Sequence, residues 1–144
     1  MEITLEIAEL TVAAAKNSAL EIGIPMNIAV VDYGANLLLF CRMDKAWLGS
    51  MDIAIKKAKT ARFFNIETGD IGKLSQPGSP LYQVEISNGG LISFPGGIPL
   101  KNNEGEVIGA IGVSGGSIRD DYKVAAAGAD AFKKINNITK ENSV

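Results

Sequence analysis

The sequence predicts an α+β fold in which a five-stranded antiparallel sheet is flanked by helices. Segments with helical periodicity alternate with groups of short apolar segments, in the order helix, two strands, helix, loop, three strands, helix. Tight turns join the strands within each group, whereas a parallel connection needs about a dozen or more residues. Glycine is concentrated late in the chain, with thirteen of sixteen after residue 68, which indicates strands joined by tight turns there.

The first helix is predicted from a cap at Thr4 to Ile22, because apolar residues recur there at spacings of three and four. Gly23 and Pro25 end it. A second apolar stripe lies beside the first and consists of Ile3, Ile7, Leu10 and Ala14. Two stripes indicate burial on two sides, which one sheet contact does not require, and suggest contact with another subunit.

A hairpin is predicted next, with strands over residues 28–33 and 37–43 and turn chemistry at residues 33–36. The second helix extends from Ser50 to about Phe64. Four cations crowd its later turns, namely Lys56, Lys57, Lys59 and Arg62. The simplest explanation is the helix dipole, which favours each cation by about 0.3–1 kcal/mol near the C-terminal end.

The second half is predicted to begin with a covering loop at residues 68–88, because its glycines and prolines prevent a long element. Strands follow at residues 91–94, 98–100 and 107–113. A third helix covers about residues 118–135, and the chain from about residue 136 is a polar, frayed tail. We expect residues 1–144 to form a single domain.

The bulk composition excludes several partners and locations. Fourteen basic and sixteen acidic residues give a formal charge of −2, which attracts neither nucleic acid nor an anionic membrane. The single cysteine, Cys41, cannot form an internal disulfide and fits a reducing compartment. No apolar segment approaches the ~20 residues that span a bilayer. We therefore expect a cytoplasmic protein without nucleic-acid or membrane partners.

Three features are candidates for ligand binding. Ser114, Gly115 and Gly116 connect a strand to the third helix, where backbone N–H groups can hold an anion, although an ordinary strand-to-helix turn explains the glycines equally simply. Around a short strand lie two double glycines, including Gly96 and Gly97, which suit a flat ligand or a sharply bent edge strand.

An aromatic side chain beside Gly96 and Gly97, and a separate cation at a strand end, complete the candidates. Phe94 offers a ring for stacking on a ligand. Arg42, at the end of a strand, is a candidate carboxylate clamp, with a solvated salt bridge as the alternative.

Missing residue types exclude many mechanisms. The chain has no histidine, which rules out a Ser-His-Asp or Cys-His mechanism, a histidine zinc site and a histidine-ligated haem. We expect no metal site, since one cysteine cannot form a multi-thiolate centre within a monomer. Proton transfer would depend on a carboxylate, lysine or tyrosine, and the candidates by position are Asp32, Asp44, Lys57, Tyr82, Glu85 and Asp120.

Several motifs together resemble the GlcG/HbpS-like family, whose domain also forms the C-terminus of PduO-type proteins. The resemblance covers residues 4–135 and rests on the motifs Val30-Val31-Asp32, Arg42-Met43-Asp44, Ala58-Lys59-Thr60-Ala61, Gly96-Gly97-Ile98-Pro99-Leu100, Gly105, Gly109-Ala110-Ile111-Gly112-Val113-Ser114-Gly115-Gly116, and Asp120 or Asp121. It implies a profilin-like fold with a five-stranded antiparallel sheet, homo-oligomers and, in some members, haem binding or degradation. Without histidine, an axial haem ligand would have to be Met26, Met43, Met51, Cys41 or a tyrosine.

Three functional hypotheses follow. The first is an oligomeric module that binds a tetrapyrrole such as haem or a small carboxylate, with the pocket where Gly96 and Gly97 meet the second helix and Arg42. The second is an enzyme for a small organic acid, with Lys57 and Asp120 as weak catalytic candidates and the turn at Gly115 and Gly116 as an oxyanion-holding nest. The third is an accessory or sensor subunit that acts through protein contacts.

Overall fold

The computed structural model describes residues 2–142, which form an α+β fold with four helices and a four-stranded antiparallel sheet. The helices are α1 (Leu5–Ile22), α2 (Gly49–Phe64), α3 (Thr68–Leu74) and α4 (Ile118–Asn142). The strands are β1 (Asn27–Val31), β2 (Leu37–Arg42), β3 (Gly97–Lys101) and β4 (Val107–Ser114), and a 3₁₀ turn lies at Val84–Ile86. Within residues 2–142, every helix is too short or too polar to cross a membrane.

The sheet has the strand order β2-β1-β4-β3 and separates two layers of helices. Side chains alternate along β1, so that Ile28 and Val30 join a core with α1 and α4, while Ala29 and Val31 join a core with α2. The α2 side is lined largely by alanine and is therefore the thinner of the two layers. Arg42, the last residue of β2, and Gly97, the first residue of β3, lie at the same end of the sheet but on its two opposite edges. Asn27 pairs with both Arg42 and Ser114, and Gly97 pairs with Gly112.

The first helix and the first hairpin are confirmed. The hydroxyl of Thr4 accepts a hydrogen bond from the Ile7 N–H at 3.2 Å, and Gly23 closes α1 in the left-handed conformation with φ 71°. β1 and β2 end within two residues of their predicted limits.

The predicted fifth strand at residues 91–94 is wrong. The backbone N–H of Leu91 donates to the carbonyl of Glu85 at 2.9 Å, and that of Ile92 donates to the hydroxyl of Thr60 at 3.2 Å. These donors are therefore used by a neighbouring turn and by α2, and they are not available for a ladder with another strand.

The covering loop also contains more structure than the sequence predicts, because Thr68–Leu74 is the helix α3. The sequence predicts that Gly72 helps to prevent a long element, but in the structure it is a packing residue within α3. A Cβ on Gly72 would lie 2.0 Å from the backbone oxygen of Ser93, so only glycine lets the two segments meet.

The last helix does not fray at residue 136, since α4 extends to Asn142. Asn136 is buried, and its side-chain amide donates to the carbonyl of Lys101 at 3.3 Å. In return, the Asn103 side chain donates to the carbonyl of Asn136 at 3.2 Å. The hairpin between β3 and β4 therefore anchors the polar end of the helix.

Candidate functional site

A buried ion pair connects the two helical layers at the end of the sheet. The ammonium of Lys57, on α2, lies 2.9 Å from the Oδ2 atom of Asp121, on α4. Both side chains are almost completely buried, at 0% and 3% exposure. A second donor of the ammonium binds the backbone carbonyl of Val113 at 2.8 Å. Breaking such a pair leaves an uncompensated buried charge, so we expect it to be structurally important.

Gly96 and Phe94 form the cover of this pair. Gly96 has φ 127°, and a Cβ there would lie 2.7 Å from the Lys57 ammonium and 2.5 Å from the Val113 carbonyl oxygen. The Phe94 ring, 39% exposed, lies with its centroid 4.8 Å from the ammonium, within the range of a cation–π interaction. The bare backbone that the sequence analysis assigned to a ligand is thus occupied, on this side, by Lys57.

The N–H groups of the turn between β4 and α4 are also occupied. The Oδ1 atom of Asp121 accepts a hydrogen bond from the Gly116 N–H at 2.8 Å, and the Gly115 N–H points to the same carboxylate. The predicted anion site therefore contains an anion of the protein itself. Ser114, just before the turn, is buried in β4 next to Asn27 of β1.

Burial moves the pKa values of the two charged groups toward each other. It lowers the pKa of Lys57 below its ordinary value, although the Asp121 carboxylate opposes this shift. It also raises the pKa of Asp121, against the opposing effects of Lys57 and of the N–H groups of Gly116 and Gly115. Desolvation is the largest cause in both cases.

A hollow of about 410 Å³ lies on the other side of Gly96 and Gly97, between α3, the start of β3 and the first turn of α4. Its apolar walls come from Pro95, Ile118 and Tyr122. The remaining lining residues are Glu67, Gly69, Asp70, Lys73 and Arg119. This volume lies within the range of about 300–1,000 Å³ that is usual for small-molecule sites.

The charges of the hollow are unequally distributed. Lys73 pairs with Asp70 at 3.2 Å on α3. Burial, together with the nearby charge of Asp70, raises the pKa of Glu67. Arg119 lies on the opposite wall, in the first turn of α4, and has no salt-bridge partner among the described side chains. An anionic group of a ligand would therefore be attracted to the α4 side of the hollow.

Arg42 is not part of this hollow. It ends β2 at the opposite edge of the sheet, and two strands separate it from Gly97 on β3. Its side chain contacts the sulfur of Met51 at 3.8 Å, and it lines a second hollow of about 390 Å³ beside the end of α1. The residues of the predicted pocket therefore lie in two places. Gly96 and Gly97 contact α2 as predicted, whereas Arg42 lies at the opposite edge of the sheet.

The other titratable candidates are scattered. Asp120 lies beside the buried pair in the sequence, but its backbone N–H only closes the helix start on the Ser117 hydroxyl at 3.1 Å. The Asp32 carboxylate caps the turn between β1 and β2, and Tyr82 is exposed on the segment that follows α3. Among residues 2–142, no three Cys, Asp or Glu side chains converge as a metal site would require.

The sequence does not point to Thr68, Arg119 or Tyr122, and it offers Asp121 only as the alternative to Asp120 in the family motif. Thr68 accepts the Gly97 N–H on its hydroxyl at 2.9 Å, which fixes the start of β3 against α3. A signal existed for Asp121, because the buried positions of α4 continue from it at helical spacing through Val124, Ala125, Gly128 and Phe132. Arg119 and Tyr122 offered no such signal, since the hollow depends on α3.

The fold and the hollow define a small α+β protein with one antiparallel sheet between two helical layers and a ligand-sized cleft beside an edge strand. The family model described as haem degrading protein HbpS-like matches residues 3–130. The chain belongs to this family.

Curated relatives include proteins of very different length. The chain is 41% identical over 143 residues to an uncharacterized 15.0 kDa protein of the dhaT-dhaS intergenic region of Citrobacter freundii, covering 94% of this chain and 100% of that protein. It is 36% identical to the corrinoid adenosyltransferase PduO of the same organism, over 83% of this chain but only 36% of PduO. GlcG of Escherichia coli K12 is 31% identical, over 78% of this chain and 81% of GlcG.

Solved structures share the whole fold. Klebsiella pneumoniae ORFY superposes with a TM-score of 0.88 at 41% identity, covering 92% of this chain and 91% of that one. A complex of PduOC with heme gives 0.85 at 31% identity, covering 90% and 94%. An HbpS double mutant from Streptomyces reticuli gives 0.79 at 33% identity, covering 90% and 86%.

Proposed function

We propose that this protein binds a tetrapyrrole of the haem class in the hollow beside Gly96 and Gly97. The observation that carries the proposal is the composition of that hollow, where the apolar side chains of Pro95, Ile118 and Tyr122 adjoin Arg119. A flat apolar ring would pack against the first three, and the guanidinium would bind a propionate. The heme complex of the related PduOC, and the family's description as haem degrading, support this ligand class.

The donor chemistry of the hollow is compatible with haem. Apolar walls suit the macrocycle, one arginine suits a carboxylate, and the phenol of Tyr122 belongs to a known class of axial ligand. When bound, haem would supply a redox-active iron, whereas the chain would hold and orient it and exclude water from one face.

Arg119 and Arg42 provide a matched test. We expect Arg119→Ala to weaken haemin binding by about tenfold or more, because a hydrogen bond to a charged group contributes about 1.5–3 kcal/mol. Arg42→Ala removes the same charge at the other edge of the sheet and should leave the affinity unchanged. Titration of the full chain with haemin, followed by the Soret absorption, measures both.

Two results would contradict the proposal. One is the absence of saturable haemin binding by the parent protein. The other is a loss of affinity in Arg42→Ala that is equal to or larger than the loss in Arg119→Ala. Saturable binding of a small carboxylate without binding of haemin would favour the carboxylate alternative.

The enzyme hypothesis receives less support from the geometry. Lys57 is fully buried and hydrogen-bonded, and Asp121 fills the nest at Gly115 and Gly116. Both parts of the predicted catalytic apparatus are therefore engaged within the protein. Homo-oligomeric assembly, the accessory-subunit role and the cytoplasmic location stay predictions.

A further inference from the structure

Among the described residues, the hollow beside Gly96 and Gly97 is lined by one tyrosine, Tyr122, and by no cysteine or methionine. Met26 is completely buried, the Met43 sulfur accepts the Met26 N–H at 3.4 Å, and the Met51 sulfur contacts Arg42. Cys41 and Met43 line the hollow at the opposite edge of the sheet. The sulfur candidates for iron ligation therefore lie away from the proposed tetrapyrrole site.

The other donors of the hollow are weaker candidates than the phenol. Asp70 and Lys73 pair with each other. Glu67 precedes α3 and shares that wall of the hollow with the negative charge of Asp70, whereas Tyr122 lies on the α4 side. Tyr122 is 42% exposed and follows Asp121, whose carboxylate accepts hydrogen bonds from Lys57 and from the Gly116 N–H, so the backbone next to Tyr122 is well held.

We propose that Tyr122 supplies the axial oxygen ligand to a ferric haem in this hollow, an inference that rests on the proposed function. Tyrosinate is an established axial ligand of haem iron. As the iron–oxygen bond forms, the phenol proton passes to solvent. Arg119 lies three residues earlier on α4, hence on the same side of the helix, where its guanidinium would bind a propionate of the same haem.

The test compares haemin with iron-free protoporphyrin IX on the full chain. Tyr122→Phe keeps the ring and removes only the hydroxyl. We expect it to weaken haemin binding by about tenfold, equivalent to about 1.4 kcal/mol, and to leave protoporphyrin binding unchanged. The resonance Raman spectrum of the ferric parent complex should show bands of an iron-bound phenolate, and those bands should disappear in the variant.

Tyr82→Phe is the matched control, because Tyr82 is similarly exposed, at 54%, but does not line the hollow. It should retain the phenolate bands and the haemin affinity. A parent complex without phenolate bands overturns the inference, as does a Tyr122→Phe complex with an unchanged spectrum, and in both cases the proposed function survives. A parent protein that does not bind haemin at all overturns both.

Discussion

The ammonium of Lys57 has no contact with solvent, so its role depends on the groups around it. Asp121 compensates its charge, the Val113 carbonyl accepts a second N–H, and the Phe94 ring covers it. The same carboxylate holds the turn that begins α4. One pair of side chains therefore fixes α2, β4 and α4 relative to one another.

A double-mutant cycle tests this role. Lys57→Met should lower the free energy of unfolding by about 3–5 kcal/mol, since it leaves the Asp121 carboxylate buried without its cation. Asp121→Asn should also destabilise. Together the two changes should cost clearly less than the sum of the single effects, because no uncompensated charge remains.

Urea denaturation followed by circular dichroism measures all three variants. Additive losses would show that the two side chains do not depend on each other. The exposed pair of Lys73 and Asp70 provides the comparison, and Lys73→Met should change the stability by no more than about 1 kcal/mol.

The sequence can indicate that Lys57 and Asp121 are buried, but only through the helical spacing of the buried residues around them. Lys57 lies among buried positions of α2 that include Ala54, Ala58 and Ala61, and Asp121 begins the buried stripe of α4. The helix dipole accounts for the partly exposed cations Lys56, Lys59 and Arg62 of α2 but not for Lys57. Position in the sequence makes Asp120 a candidate, whereas the helical phase of the buried residues favours its neighbour Asp121.

Helix α2 lies unusually close to the sheet, and Gly112 makes this possible. A Cβ on Gly112 would lie 2.1 Å from the carbonyl oxygen of Ala54 and 2.5 Å from the nitrogen of Ala58. Both contacts are with backbone, so a side chain at this position could be accommodated only by movement of the helix. The small residues of the α2 core follow from the same short distance.

Gly112→Ala should therefore destabilise the protein by about 1–3 kcal/mol or more, as overpacked cores usually do. Gly112 lies on β4 and packs against α2, so Gly49→Ala, at the start of α2 itself, is the control. A Cβ on Gly49 meets nothing within 4 Å. Gly49→Ala should be neutral or slightly stabilising. Thermal unfolding of both variants measures the difference, and equal melting temperatures would show that α2 can move at little cost.

The elements that the sequence predicts well are those with a clear period. α1, the first hairpin, α2 and β4 agree within two residues of their expected limits. The errors fall where tertiary contacts decide the structure. The Glu85 carbonyl accepts the Leu91 N–H and the Thr60 hydroxyl accepts the Ile92 N–H. Gly72 is needed for the contact of α3 with Ser93. The profilin-like topology stays a prediction.

The surface of the whole molecule retains apolar side chains on α1 that the core does not use. Leu5, Leu10 and Leu20 are 50%, 50% and 59% exposed, while Ala8, Ala15 and Ala19 of the same helix are buried. In the predicted second stripe, Ile3 is buried whereas Leu10 is left half exposed. We expect the exposed leucines of α1 to be covered by a second copy of the chain.

Sedimentation equilibrium should therefore give a mass that is a multiple of 15.2 kDa. Leu10→Lys should shift the protein toward the monomer, because it places a charge in the apolar contact. Ile86→Lys makes the same type of change at a residue far along the chain that is 76% exposed, and the mass should stay that of the parent. A monomeric parent would contradict the expectation.

Gly96 and Gly97, between the hollow and the buried ion pair, bear on how fast a ligand of the hollow binds and dissociates. Hydrogen bonds to Thr68 and Val113 and contact with Lys57 already hold Gly96 and Gly97 in place. That wall of the cleft is preorganised, so little ordering entropy is lost on complex formation. Differences in affinity between ligands of this hollow should then arise mainly from their dissociation rates.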